Sequence, residues 1–318
     1  MKHTIIVLLT VLIILPYGYS SALELKSNKE KTTQQNSKPE PFDYTPEWKS
    51  KIKELAPEKS TVKSKSNRKV LLFSLSTGYQ HWVIPHTAAV IEALSEKTGA
   101  FEVIRSDDVQ MFDPDKIKEF DAVILNNTCS KGEYRNIFID ALGKYKKDEA
   151  TALEKSLIEF VNNGGGLTAI HGAIVVLNKS EEFDNLLGGS FDFHPAQQQV
   201  TLNLVEPNHP LLKAFSGKSF VHFDEPYLFK GTYNKLNFRP LLVMDTKKLE
   251  CGDKQEMVES QVRYTAWIKK YGKGKVFYCS PSHNAQSFED PRLLQFLLDG
   301  IQYTLGDLEC DDSPIKKD

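Results

Sequence analysis

Residues 164–172 of this 318-residue chain read GGGLTAIHG, a glycine turn followed by a short apolar run that stops at a histidine. Glycine permits positive φ and close backbone approach, and an uninterrupted apolar run is typical of a strand buried on both faces. Ligands of open α/β sheets bind outside the carboxyl ends of the strands. His171 is therefore predicted to lie at the functional edge of a sheet, although the motif alone also fits a core strand with a structural histidine.

The preceding sequence predicts the same class of fold. Apolar runs typical of strands occupy residues 69–75, 101–104 and 121–126, and segments 85–96 and 152–163 carry apolar residues at helical spacing. Strands that alternate with helices favour a parallel sheet wound by right-handed crossovers.

The C-terminal half has a different pattern. Residues 199–205 and 219–229 alternate apolar and polar side chains, and residues 261–268 and 275–280 flank a glycine turn typical of an antiparallel hairpin. Residues 290–305 predict a closing helix with one apolar face. The predicted fold class is a doubly wound α/β domain with a mostly parallel sheet and antiparallel C-terminal additions.

Composition and the N-terminus limit the possible functions. Hydrophobic residues make up 40% of the chain and the net charge is only −2, without the basic stripe expected of a nucleic-acid-binding protein. Residues 1–22 combine an early lysine, an apolar run and small residues that suit cleavage, which predicts a signal peptide. The run is shorter than the roughly 20 residues of a membrane span. We therefore expect an exported protein, periplasmic or extracellular, with no integral membrane segment after cleavage.

The remaining boundaries follow from composition. Residues 23–67 are polar and charged, which predicts a low-complexity linker with a short helix near residues 48–55. The globular domain is predicted at residues 68–307, followed by a polar tail at 308–318. The spacing of the four cysteines matches no metal motif, and a Cys251–Cys310 disulfide is one pairing that export would allow.

Histidines recur where predicted strands end. A neutral imidazole binds Zn²⁺ and related ions and titrates near neutral pH, so a cluster of these side chains would serve metal binding or proton transfer. No two of them have the i, i+4 spacing of a helical zinc motif, so a shared site depends on folding. The five histidines are His81, His171, His194, His222 and His283.

Several motifs, in order, resemble the ThuA-like family, named for trehalose utilisation. The resemblance covers about residues 68–306 and implies the fold of class I glutamine amidotransferases and a role in the use of sugars, including disaccharides and their keto derivatives. Its motifs are residues 78–85 (GYQHWVIP), 164–173, 188–191, 194–195, 209–210, 224–227 (DEPY) and 272–278 (GKGKVFY), the last leading to His283.

The resemblance also excludes one activity. In amidotransferases of this fold the segment similar to residues 164–172 carries a nucleophilic cysteine, which a histidine near the C-terminal strand activates. Here His171 takes the place of that cysteine, and His283 is similar in position to the activating histidine. Without the thiol, glutamine hydrolysis by a Cys–His pair is not expected.

The leading hypothesis is a sugar-modifying enzyme, a hydrolase, lyase or isomerase, whose site is rich in histidine. A divalent metal, Zn²⁺ or Mn²⁺, is one expected cofactor, and a metal-free acid/base pocket is the alternative. A non-catalytic sugar-binding module is the competing function, and an interaction surface is a third. Oligomeric state is not predicted. The candidate catalytic residues are His171, His283 and Glu225; the substrate-binding residues are Tyr79, Trp82, Phe191 and Asp224; the metal ligands are His81, His171 and His194.

Overall fold

A computed structural model of the protein describes residues 38–315, so the predicted signal peptide lies outside the described residues. The compact unit begins at Pro39. Within residues 38–315, no helix has the length and apolar character needed to cross a membrane.

Eleven strands form two sheets within the described residues. They are β1 (Lys69–Phe73), β2 (Glu102–Ser106), β3 (Ala122–Asn126), β4 (Gly166–Ile170), β5 (Ser190–Phe193), β6 (Gln198–Leu204), β7 (Phe220–Asp224), β8 (Leu228–Lys230), β9 (Arg239–Met244), β10 (Arg263–Tyr271) and β11 (Gly274–Cys279). The main sheet has the order β2-β1-β3-β4-β11-β10-β9-β6-β7, and β5 pairs with β8 separately. Its first five strands are parallel and the rest are antiparallel, which confirms the predicted fold class.

Seven α-helices accompany the strands in the same part of the chain. They are α1 (Pro46–Leu55), α2 (Ile84–Thr98), α3 (Ile137–Leu142), α4 (Lys147–Asn162), α5 (Glu181–Leu187), α6 (Gln255–Glu259) and α7 (Pro291–Thr304). Two apolar clusters hold these layers together, one of which includes α2 and α7 and the other α4. Burial of this kind is the main stabilising term of the fold.

The glycine turn fits the backbone tightly. Gly164 has φ +125°, a conformation that favours glycine, and a Cβ on Gly166 would lie 2.4 Å from the carbonyl oxygen of Thr304 in α7. Glycine at position 166 therefore lets the closing helix pack directly on β4.

The register of the parallel strands aligns their carboxyl ends. Asn126 of β3 pairs with Ile170 of β4, which pairs in turn with Cys279 of β11. The segments that follow these strands consequently leave the sheet side by side. His171 and the loop that carries His283 are thus brought to one edge.

The segment 219–229 differs from its predicted single alternating run. It divides into β7 and β8, which belong to different sheets. Pro226 lies between them and has no backbone N–H for a ladder, and the Tyr227 N–H turns back to the Glu225 carbonyl at 2.9 Å. The break places Glu225 in a loop and not in a strand.

The N-terminal part of the predicted linker packs onto the domain. Helix α1 lies where a short helix was expected, and its Trp48 and Ile52, four residues apart, are buried on one face. The packed unit therefore begins well before residue 68. Too few apolar residues occupy this segment for composition to reveal the docking.

The four cysteines are free thiols. The Cys251–Cys310 disulfide that the sequence allowed is absent, and Cys279 is a buried thiol within β11.

Candidate functional site

Four side chains from four separate loops meet at the carboxyl edge of the parallel strands. One potential ligand atom from each lies within 4.8 Å of all the others. The three histidines are buried, and the carboxylate side chain is 12% exposed. We call this group the His–Glu cluster; its members are His81, His171, Glu225 and His283.

His171 is fixed in orientation by the backbone. Its Nδ1 lies 2.8 Å from the Ser280 carbonyl oxygen, which can only accept, so Nδ1 donates the proton. Its Nε2 then lies 3.2 Å from Nδ1 of His283 and 3.3 Å from Oε2 of Glu225. An imidazole held by a carbonyl at one nitrogen and directed inward with the other is the usual arrangement of a metal-binding histidine.

Three of the six non-glycine residues with positive φ in the described part of the chain lie around the cluster. His171 has φ +46°, Asn127 has φ +52° and Ser282 has φ +143°, all rare for residues with a Cβ. Such residues cost about 1–3 kcal/mol each and occur mainly where function requires them. The strain therefore supports a functional rather than a purely structural role for this edge.

Glu225 links the two central histidines. Its Oε2 lies 3.0 Å from Nδ1 of His283 and 3.3 Å from Nε2 of His171. Burial alone would raise the pKa of Glu225, but hydrogen bonds from these two histidines hold it well below its usual value. In His171, burial acts to lower the pKa, whereas Glu225 and Asp224 raise it, with a net upward shift. Glu225 is thus an ionised carboxylate in a nearly closed site.

His81 is a neutral imidazole with an unused nitrogen. Burial, reinforced by His171 and His283, holds the pKa of His81 well below its usual value. Its Nδ1 lies 3.7 Å from Sγ of Cys129, and its Nε2 is buried without a hydrogen-bond partner. A buried nitrogen without a partner is costly unless something binds it.

The donor set of the cluster fits a divalent transition metal. Three imidazole nitrogens and one carboxylate oxygen suit Zn²⁺ or Mn²⁺, and the unpaired His81 Nε2 supplies an otherwise unexplained donor. The predicted set shared His81 and His171 but included His194 in place of Glu225 and His283.

His194 lies at the entrance instead. Its Nε2 is 3.8 Å from Oε2 of Glu225, its Nδ1 is 2.8 Å from the carbonyl oxygen of Pro195, and its side chain is 33% exposed. Its ring stacks on Tyr227 at 5.3 Å. His194 is therefore placed to face both solvent and Glu225.

Asp224 was predicted to contact the substrate, but its carboxylate is buried. It is 2% exposed, and its carboxylate accepts hydrogen bonds from the backbone N–H groups of Glu225 (2.8 Å), Ser282 (2.9 Å) and His283 (3.2 Å). These hydrogen bonds connect the loop that carries Glu225 to the loop that carries His283. Asp224 thus positions Glu225 and His283, and a sugar has no access to its carboxylate.

The predicted aromatic contacts divide into two groups. Tyr79 is 61% exposed with its ring stacked near His283 at 6.3 Å, and Phe191 lies 4.8 Å from Tyr227. Trp82 instead lies 5.3 Å from Phe42 and 5.1 Å from His86, in a separate aromatic cluster. Trp82 is therefore removed from the entrance that Tyr79 flanks.

Two neighbours of the cluster were not predicted as site residues. The ring of Tyr227 packs 4.2 Å from His171, and its place in the DEPY motif was the available signal. Cys129 contacts His81, and its thiol donates to the Gly172 carbonyl at 3.3 Å. Burial and Glu225 raise the pKa of Cys129 to about 12, so it is a neutral thiol and not a nucleophile.

Comparison with known proteins identifies the family. The ThuA family, described as trehalose utilisation, matches residues 69–304. A ThuA-like protein from Bacteroides uniformis is similar in structure, with 17% identity, 84% of this chain and 95% of that chain covered, and a TM-score of 0.56. One from Parabacteroides merdae has 18% identity, coverage of 79% and 98%, and a TM-score of 0.52. No curated protein matches. The likeness to these solved structures concerns the fold alone, whereas the family match spans most of the described residues, and the chain therefore belongs to the ThuA family.

Proposed function

We propose that this member of the ThuA family is an exported enzyme that acts on a disaccharide or a keto-sugar at the His–Glu cluster. The observation that carries the proposal is the meeting of three buried imidazoles and one carboxylate, with ligand atoms within 4.8 Å, where the strands end. The carbohydrate substrate rests on the trehalose-utilisation description of the family.

In this proposal the cluster holds a divalent ion and His194 moves a proton. A bound ion would polarise a carbonyl or hydroxyl oxygen of the sugar. His194 donates Nδ1–H to the Pro195 carbonyl, which leaves Nε2 free to accept or release a proton at the entrance. Exposed Tyr79 offers a face on which a sugar ring can stack.

The same contacts also support proton transfer without an ion. His171 faces an acceptor at each ring nitrogen, the Ser280 carbonyl and the Glu225 carboxylate. Dialysis against a chelator separates the two versions, because the metal-dependent enzyme loses turnover and the metal-free enzyme keeps it.

The direct test is incubation of the purified protein with trehalose, other disaccharides and their 3-keto forms, followed by NMR analysis of the products. We expect turnover of at least one sugar, and a loss of about 100-fold in His194→Gln with the metal content unchanged. The matched control is Asp192→Asn, an exposed change two residues before His194, in β5. Tight binding with no turnover of any sugar would instead favour the non-catalytic sugar-binding module.

Export has its own test. The proposal rests on residues 1–22, whose small residues permit cleavage after Ser20 or Ala22. Mass spectrometry of the protein from the native cell fractions should find a mature chain that begins at one of those sites, outside the cytoplasm. A full-length chain in the cytoplasmic fraction would contradict export.

A further inference from the structure

We infer that residues 39–55, which precede the family region, are a positioning segment that fixes two loops of the His–Glu cluster. We call residues 39–55 the N-terminal strap. The inference deepens the proposed function and rests on its metal site. The family match begins only at residue 69, so the strap is a feature of this chain beyond that match.

The first loop held by the strap carries His81. The ring of Phe42 lies 5.3 Å from Trp82, the residue directly after His81, and 4.8 Å from His86 in the first turn of α2. Trp48 packs against the same His86 ring at 4.8 Å. Edge-to-face contacts of this kind favour one relative geometry of the rings. They fix the start of α2 and, with it, the backbone that presents His81.

The second loop carries His283. A short 3₁₀ helix, Ala285–Glu289, begins two residues after that histidine. Trp48 donates its Nε1–H to Oε1 of Glu289 at 3.2 Å, and Lys51 forms an ion pair with the same carboxylate. Gln286 donates from Nε2 to the carbonyl oxygen of Glu40 at 3.0 Å. The strap is therefore attached to the His283 loop at two places, the backbone carbonyl of Glu40 and the side chains of α1.

Trp48 joins the two attachments, since one side chain packs against His86 and hydrogen-bonds Glu289. The relative position of the two loops sets the separation of His81 and His283, and metal affinity depends strongly on such outer supports. If the strap were only a stabilising cover, removal of its contacts would lower the melting temperature and leave metal affinity unchanged. A positioning role predicts that affinity falls as well.

The experiment measures Zn²⁺ affinity of the full mature chain by competition with a chelator. We expect Trp48→Ala to raise the Kd about tenfold or more, and Trp48→Phe, which keeps the ring but loses the hydrogen bond to Glu289, to raise it less. The matched control is Phe120→Ala, because Phe120 is buried to a similar degree (6% against 7% exposed) and precedes β3, at the opposite edge of the sheet. It should lower the melting temperature with the Kd within about twofold of the parent.

Hydrogen exchange of residues 76–86 and 280–290 provides a second readout, and it should accelerate in Trp48→Phe even if Trp48→Ala fails to fold. If the parent binds Zn²⁺ and the Trp48 variants match its affinity and its hydrogen exchange, the positioning role of the strap is wrong. The proposed function would still stand. A parent that binds neither Zn²⁺ nor Mn²⁺ would overturn the metal site itself and the strap's role with it.

Discussion

At the scale of single residues, the site depends on side chains that their neighbours hold in one orientation. His171 is held by the Ser280 carbonyl, Glu225 by the backbone that Asp224 fixes, and His81 by its contacts with Cys129 and Gly172. The packing around each of these supporting groups fixes which atoms it can contact. Changing one of these supports should therefore displace the residue that it holds.

Gly172 is the clearest steric support. A Cβ at this position would lie 2.5 Å from Cε1 of His81 and 2.9 Å from Sγ of Cys129. Gly172→Ala should cost about 1–3 kcal/mol of unfolding free energy by overpacking and displace the His81 ring. Chelator competition should show Zn²⁺ binding weakened about tenfold or more. Parent-like affinity would mean that His81 is not a ligand.

Asp224 is the main polar support. Asp224→Asn replaces one acceptor oxygen by an NH₂ group, which then faces either the N–H of Ser282 at Oδ2 or the N–H groups of Glu225 and His283 at Oδ1. Because these groups are buried, we expect a loss of about 2 kcal/mol in urea unfolding. Asp192→Asn, on the exposed part of β5, should change stability by less than about 0.5 kcal/mol. Equal stability of the two variants would argue against this role for Asp224.

At the scale of elements, strand ends and loops explain what the sequence could and could not predict. The apolar runs and glycine turn predicted the parallel strands, and histidines after strand ends predicted the edge at which His81, His171 and His283 meet. Glu225 was predicted as a catalytic residue but not as a metal ligand, because its place beside the three histidines depends on where β7 stops and on the break at Pro226. Trp82 was predicted to contact the substrate, but it lies in a separate aromatic cluster, because neighbouring residues in a loop face different surroundings.

Helix α7 contains a buried carboxylate that makes stability depend on pH. Burial raises the pKa of Asp299 to about 6 from an ordinary 3.8, although hydrogen bonds from Thr61 and Gln295 and the charge of Lys213 act in the opposite direction. The folded state therefore holds this proton more tightly than the unfolded state. Its contribution to stability is present below about pH 4 and is lost as pH rises through about 6, by about 3 kcal/mol in total.

Asp299→Asn removes this titration. The difference in unfolding free energy between variant and parent should shift in favour of the variant by up to about 3 kcal/mol between about pH 4 and about pH 7. Urea unfolding at a series of pH values measures it. Asp253→Asn, an exposed change, should leave the difference constant. Parallel pH curves for Asp299→Asn and the parent would show that the carboxyl has an ordinary pKa.

At the scale of the whole molecule, stability within residues 38–315 comes from packing and not from cross-links. The four cysteines are free, and three of them are buried. A reducing agent should therefore leave the urea unfolding free energy of freshly purified protein unchanged within about 0.5 kcal/mol. A decrease of 2 kcal/mol or more on reduction would reveal a disulfide.

We propose that His81, His171, Glu225 and His283 together bind one divalent metal ion. The most direct measurement is metal content by mass spectrometry after loading with Zn²⁺ or Mn²⁺ and desalting, for the parent, His171→Ala and His194→Ala. We expect one ion per chain in the parent and in His194→Ala, and none in His171→Ala. A parent without bound metal, or a His171→Ala variant that retains its ion, would contradict it.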